Sequence, residues 1–230
     1  QCAWGSEADV TTSHDRRRTA ADELAADFAV LNTSLHDGGE HHATMRRLVL
    51  LAVDSIPGCD WAALTVWPVG KEPYSLAYSH AAAREVDRLQ YDIGEGPCLT
   101  AAAESEVIRI RDLTTDDRWP GFARAVVAAT PVREVLAFPL PDLPERHALN
   151  LYSGTPGSLD DDSVNIGALF AAHARTLLLH ADSTLDNAKL RQALSSSRGY
   201  RHPDEHAQDH RGASVRPAAR RQPTPESQAA

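Results

Sequence analysis

YDIGEGPCLTAAAESEVIRIRDLTTDDRWPGF, residues 91–122, decides the fold. A Gly-Glu-Gly-Pro-Cys turn opens an Ala-rich helix, a short strand follows over Glu106 to Ile110, and an Asp- and Thr-rich connection leads to a second helix from Pro120. Gly94 and Gly96 permit φ > 0 or close backbone approach, and Pro97 has the φ of a first helical position. Cys98 then falls in the first turn. The whole stretch predicts the wall of a cavity.

Outward from it, apolar periodicity supplies the other elements. Leu24, Phe28, Leu31 and Leu35 recur at helical spacing until Asp37-Gly-Gly39, and Met45, Leu48, Val49, Ala52 and Ile56 mark a second helix ended by Pro57-Gly58. Trp61 to Trp67 and Tyr74 to Ser79 read as a hairpin of strands. Ala81 to Leu89 reads as a helix, Val135 to Leu140 and Ala148 to Ser153 as two more strands. Ser158-Leu-Asp-Asp-Asp162 supplies N-cap oxygens and negative charge to a long last helix. Its stripe, Ile166, Phe170, His173, Leu177, Ala181, Leu185 and Ala188, suits burial on a sheet and then on a partner helix. The sum is an α+β fold: an antiparallel sheet of five to six strands, long helices on one face, small helices and loops over the other.

Four motifs in this order, Gly94-Glu-Gly-Pro-Cys98, Asp112-Leu-x-x-Asp-x-Arg-Trp-Pro120, Ala148-Leu-Asn-Leu-Tyr-Ser153 and Leu169-Phe-Ala-Ala-His-Ala174, resemble the GAF domains of GAF-ANTAR regulators. The likeness covers roughly Asp22 to Ser196. It implies a module that senses a small molecule and is joined to a three-helix RNA-binding domain acting by transcription antitermination; the expected protein is non-enzymatic and, from its few, widely spaced cysteines, cytoplasmic. In that family the last helix runs through an Arg-Asp-x-Ile-Gly motif into the output domain. Here the pattern dissolves after Arg198 into a Pro-, Arg- and His-containing tail that cannot bury a core. The output domain is expected to be missing. Reading codons one base out of frame from Gly199 permits Ile-Gly and, after four positions, Met-Leu, the spacing of the family's next motif, so a frameshift is the expected cause. His147 stands where relatives carry Gly, which predicts an altered hairpin end.

The expected organisation is a disordered arm over 1–18, a GAF-like sensor domain over 19–182, a helical extension over 183–197 serving as linker or homodimer contact, and a disordered tail over 198–230. The chain opens on Gln1 rather than Met, as a fragment does. The net charge is −9, and the tail is locally basic, so the folded part is more acidic than the total and is not expected to bind nucleic acid directly. Cys2, Cys59 and Cys98 are widely spaced, which indicates neither a disulfide framework nor a metal site. No apolar run approaches the roughly 18 residues that span a bilayer.

Period-two alternation assigns the binding residues. If Leu64, Val66, Leu149 and Leu151 point to the helices, Thr65, Asn150 and Tyr152 face the cavity, joined by Tyr91, Gly96 and Cys98 from its wall. Cys98 has two readings, a thiolate favoured by the helix start or a small residue packing it. The first leads to an alternative function, a thiol-based enzyme or redox sensor, as in methionine-sulfoxide-reducing GAF proteins, with Cys59 as the lone resolving thiol inside the domain. Asp112 and Asp117 are read as capping turns and fixing Arg118, with Trp119 plugging the base of the wall, and His173 as a core or interface histidine. His202, His206 and His210 offer accidental metal affinity at most. No catalytic residue or metal ligand is assigned, haem and tetrapyrrole find no supporting pattern, and the effector is unidentified.

Overall fold

The computed structural model describes residues 22–33 and 41–198, with side chains through Ala181 and at Ser183. The arm expected over 1–18, the stop at Asp37-Gly-Gly39, and the tail from Gly199 with its three histidines lie outside the described residues. The described residues up to Lys189 belong to one compact unit, and Leu190 to Arg198, described as helical backbone, to another.

Five strands, β1 (Trp61–Trp67), β2 (Tyr74–Tyr78), β3 (Ile108–Ile110), β4 (Glu134–Leu140) and β5 (Arg146–Ser153), form one antiparallel sheet in the order β2-β1-β5-β4-β3. Helix α1 (residues 22–33), α2 (His41–Ser55) and α6 (Asp161–Arg198) supply one layer. The other face is roofed by α3 (Ala81–Ile93), α4 (Pro97–Glu104) and α5 (Pro120–Ala129). This is the expected α+β architecture with the lower of the two strand counts.

The helical layer is built by apolar burial. Leu64, Leu136, Phe138, Leu149 and Leu151 from the sheet meet Met45, Leu48, Val49, Phe170, Ala174 and Leu177 from α2 and α6. Each large side chain so buried stabilises the fold by about 1.5–3 kcal/mol. Gly167 brings α6 onto the sheet: a Cβ there would sit 2.6 Å from the Phe138 ring. Asp160 starts α6, its Oδ1 accepting from Ser163 N at 2.9 Å and Ser163 Oγ at 3.0 Å. His173 stacks on Phe28 with ring centroids 4.1 Å apart, and burial lowers its pKa. The positions Leu185 and Ala188 of the expected stripe lie outside the described side chains. His147 falls within β5, opposite Leu140, with Nδ1 2.9 Å from the Glu145 carbonyl oxygen.

Sequence periodicity placed most boundaries within two residues. β3 is shorter than the expected Glu106–Ile110, and α3 runs on to Ile93, closed by Gly94 in the left-handed conformation with its N–H bonded to the Gln90 carbonyl.

Candidate functional site

The roof side of the sheet is paved differently. Ala63 and Ala137 flank Asn150 in the register, and Ala148 stands opposite Thr65. Small neighbours let α3 and α4 approach closely and leave Thr65, Asn150 and Tyr152 as the polar groups of this floor. Alternation sends these three to the roof while Leu64, Leu149 and Leu151 enter the helical core. Val66 is buried but lies outside that cluster.

The polar floor converges on Asp87 of α3. Tyr152 OH and Asn150 Nδ2 donate to Asp87 Oδ1, the latter at 3.1 Å. Ser75 Oγ at 2.7 Å and Thr65 Oγ1 at 3.3 Å donate to Oδ2. Tyr91 OH donates to Thr65 Oγ1 at 3.0 Å, and Asn150 Nδ2 donates to the same oxygen at 3.0 Å. A register shift between Leu64 and Thr65 explains the presence of Ser75: Leu64 pairs Ala77, yet Thr65 pairs Ser75, so both hydroxyls reach one carboxylate.

Asp87, Gln90, Asn150 and Tyr152 are each 0% exposed and Cys98 is 1% exposed, so the site is closed over its own side chains. Burial pushes Asp87 up to about 6, and its four hydrogen-bond donors pull the other way with less effect. Burial also raises the pKa of Tyr91, Tyr152 and Cys98, and the nearby Asp87 carboxylate adds to each rise.

Gln90 holds the roof at the opposite end. Its Oε1 accepts from Cys98 N at 2.8 Å, which satisfies a backbone donor at the start of α4. Gly96 lies directly against it, with φ +145 and a position where a Cβ would meet Gln90 Oε1 at 2.5 Å. Only glycine fits there. Glu95, in the same turn, reaches forward to α5, its Oε1 accepting from Gly121 N at 2.8 Å and Phe122 N at 3.0 Å. The turn therefore ties α3, α4 and α5 into one lid.

Of the six residues singled out from sequence, Thr65, Tyr91, Asn150 and Tyr152 meet in the Asp87 network. Cys98 stands beside them, flanked by the Gln90 and Asn150 amides, and Gly96 supports Gln90. Asp87, Gln90 and Ser75 were not foreseen. A signal for two of them existed: Ala83, Val86, Asp87 and Gln90 form the buried stripe of α3, so a polar pair sits where apolar side chains belong.

Cys98 carries the second of its two readings here, a buried thiol raised well above its ordinary range despite its place at a helix start. Cys59 packs in the helical core, its Sγ donating to the Trp61 carbonyl at 3.3 Å, on the other side of the sheet from Cys98. Arg118 is fixed by Asp116, through a 2.6 Å ion pair, rather than by Asp117. Asp112 does cap its turn, accepting from Thr114 N at 2.8 Å. Trp119 packs between the two roof clusters. An open surface cleft of about 420 Å³ is lined by these acids with Arg109, Arg111 and Arg118, outside the roof. Among the described residues no three His, Cys, Asp or Glu side chains are grouped to hold a metal, and no helix is long and apolar enough to cross a membrane.

Solved structures share this fold at low sequence identity. Free methionine-R-sulfoxide reductase from Neisseria meningitidis, solved with its substrate, superposes with a TM-score of 0.56 at 11% identity, over 80% of this chain and 97% of that one. The GAF domain of a phosphoenolpyruvate-protein phosphotransferase from Coxiella burnetii does so with a TM-score of 0.52 at 12% identity, over 70% and 95%. No curated protein sequence matches the chain. At such identities these structures speak for the fold alone. The GAF domain family model matches residues 40–178, from the start of α2 through the buried part of α6 and so across both layers and the whole sheet. The chain belongs to the GAF domain family.

Proposed function

We propose that this chain is a non-catalytic, small-molecule-sensing GAF domain of a signalling regulator. The observation that carries the reading is the convergence of side chains from β1, β2, β5 and α3 on one buried carboxylate beneath a lid of three short helices. A buried polar network of this kind is costly unless fully satisfied, and an all-apolar packing would stabilise a purely structural domain more simply. Its placement under a roof tied together by Gln90 and Glu95 suits a site that rearranges when occupied. A ligand acts through its differential affinity for the closed and rearranged lids, and α6 is the element that would carry the change outward.

The finer reading is that of a transcription antitermination regulator of the GAF-ANTAR type lacking its RNA-binding output, cytoplasmic and homodimeric through the end of α6. The four motifs of that family support it. Native mass spectrometry of the purified chain tests the sensing: a retained small molecule, or one captured from a metabolite library, is the expected result. A chain that holds and captures nothing contradicts it.

The thiol-enzyme alternative asks for a reactive Cys98 and a second thiol near it. The burial of Cys98 and the place of Cys59 across the sheet both favour the non-catalytic reading.

A further inference from the structure

Two polar atoms where roof and sheet meet have no hydrogen-bond partner among the described residues: Gln90 Nε2, a donor, and Asn150 Oδ1, an acceptor. Both side chains are 0% exposed, and an unmet buried amide atom is destabilising. Their orientations are fixed. Asn150 Nδ2 is committed to Thr65 and Asp87, so its oxygen must face away from the carboxylate. Gln90 Oε1 is committed to Cys98 N, so its nitrogen is the free end. Both amides act on the Cys98 thiol, which packs with Ala137 and Ala148.

The charge of this chamber has one sign. Asp87 is buried, and no Lys or Arg is buried among the described residues. The titratable groups facing it, Tyr91 from α3, Cys98 from α4 and Tyr152 from β5, are held in their neutral forms by burial and by Asp87 itself. Thr65 from β1 and Ser75 from β2 add only hydroxyls. α4 is bracketed by two unusual backbone positions, Gly96 at φ +145 and Ser105 at φ +58.

Resting on the sensing function proposed above, we propose that the ligand of this site is a small primary amine or amidine bearing a carbonyl-type acceptor, which displaces the Cys98 thiol while the Cys98 N–H stays on Gln90 Oε1. Its cationic N–H groups donate to Asn150 Oδ1 and lie in the field of Asp87, and its acceptor receives Gln90 Nε2. Anions are excluded, since a second negative charge would enter a buried chamber without a cation.

Three probes of similar size separate the terms: glycinamide, a cation with an amide; propionamide, neutral; and malonamate, an anion. The full chain is titrated at pH 7 while the side-chain amide resonances of Asn150 and Gln90 are followed by NMR. Saturable shifts with glycinamide are expected, with propionamide and malonamate weaker by roughly tenfold or more. In Asp87→Asn, which keeps the shape, glycinamide loses that advantage. The proposal is overturned if propionamide or malonamate binds as tightly as glycinamide, if the preference survives in Asp87→Asn, or if glycinamide shifts neither resonance. A neutral or anionic probe that shifts them as tightly as glycinamide leaves sensing intact and refutes only the cation preference. No response to any probe, together with empty native mass spectra, refutes both.

Discussion

On one face of the sheet, Leu136, Phe138, Leu149 and Leu151 meet Leu48 and Phe170 in an apolar cluster; on the other, Asn150 and Tyr152 from the same β5 meet a buried carboxylate. Adjacent residues of one strand thus enter two unlike environments. The helical face gains its stability from area removed from water, which is additive and tolerant of exchange between apolar side chains. The roof face depends on hydrogen bonds that converge on one carboxylate and reinforce one another. Stability and ligand response are therefore separable by which face a substitution touches.

The largest effect should come from the helical face. Phe170→Ala is expected to cost about 3–5 kcal/mol in denaturant unfolding. The ionisation of Asp87, on the other face, should be untouched by it. A variant that changed the Asp87 titration would show that the two faces are not independent.

Asp87→Asn probes the roof. With a folded pKa raised from 3.8 to about 6, Asp87 contributes stability that is fully present below 3.8 and is lost as pH rises through about 6. The loss amounts to about 3 kcal/mol by linkage. Asparagine can keep the contacts of Oδ1, and the Ser75 and Thr65 hydroxyls can rotate to accept from its amide. The variant should therefore gain on the wild type between pH 4 and 6, with the difference flat above. Equal pH profiles for the two proteins would contradict a buried charge.

Much of this contrast was legible in the sequence. Period-two alternation in WAALTVW and ALNLYS assigned Thr65, Asn150 and Tyr152 to one side, because a strand's faces alternate whatever packs on them. The hub itself was hidden. Ala81–Ile93 carries Arg84, Glu85, Asp87, Arg88 and Asp92, and only tertiary packing distinguishes the buried acid from the exposed ones. Ser75 reaches the site through a register shift that pairing, not composition, determines. Glu95 caps α5, a partner distant in sequence that no local pattern reveals. Asp117 was given a role that its neighbour Asp116 performs, because either acid can reach Arg118 and turn geometry decides between them.

Gly96→Ala should come next, costing about 1–3 kcal/mol, since its backbone is open to glycine alone and a Cβ would press on Gln90. Ligand capture should weaken with it, because the same contact positions the lid. Full capture with lowered stability would confine Gly96 to a structural role. Smallest is Cys98→Ala, which deletes a buried sulfur at a cost of about 1 kcal/mol. It should leave ligand capture in place, and loss of capture would return the thiol to the centre of the function.

The contrast between the faces rests on one group, and carbon NMR of the Asp87 carboxyl through a pH titration tests it most directly. The account predicts a midpoint near 6, well above 3.8, with the Tyr152 and Asn150 resonances moving in step. A midpoint at or below 3.8 would mean that water reaches the carboxylate and would contradict the sealed polar chamber.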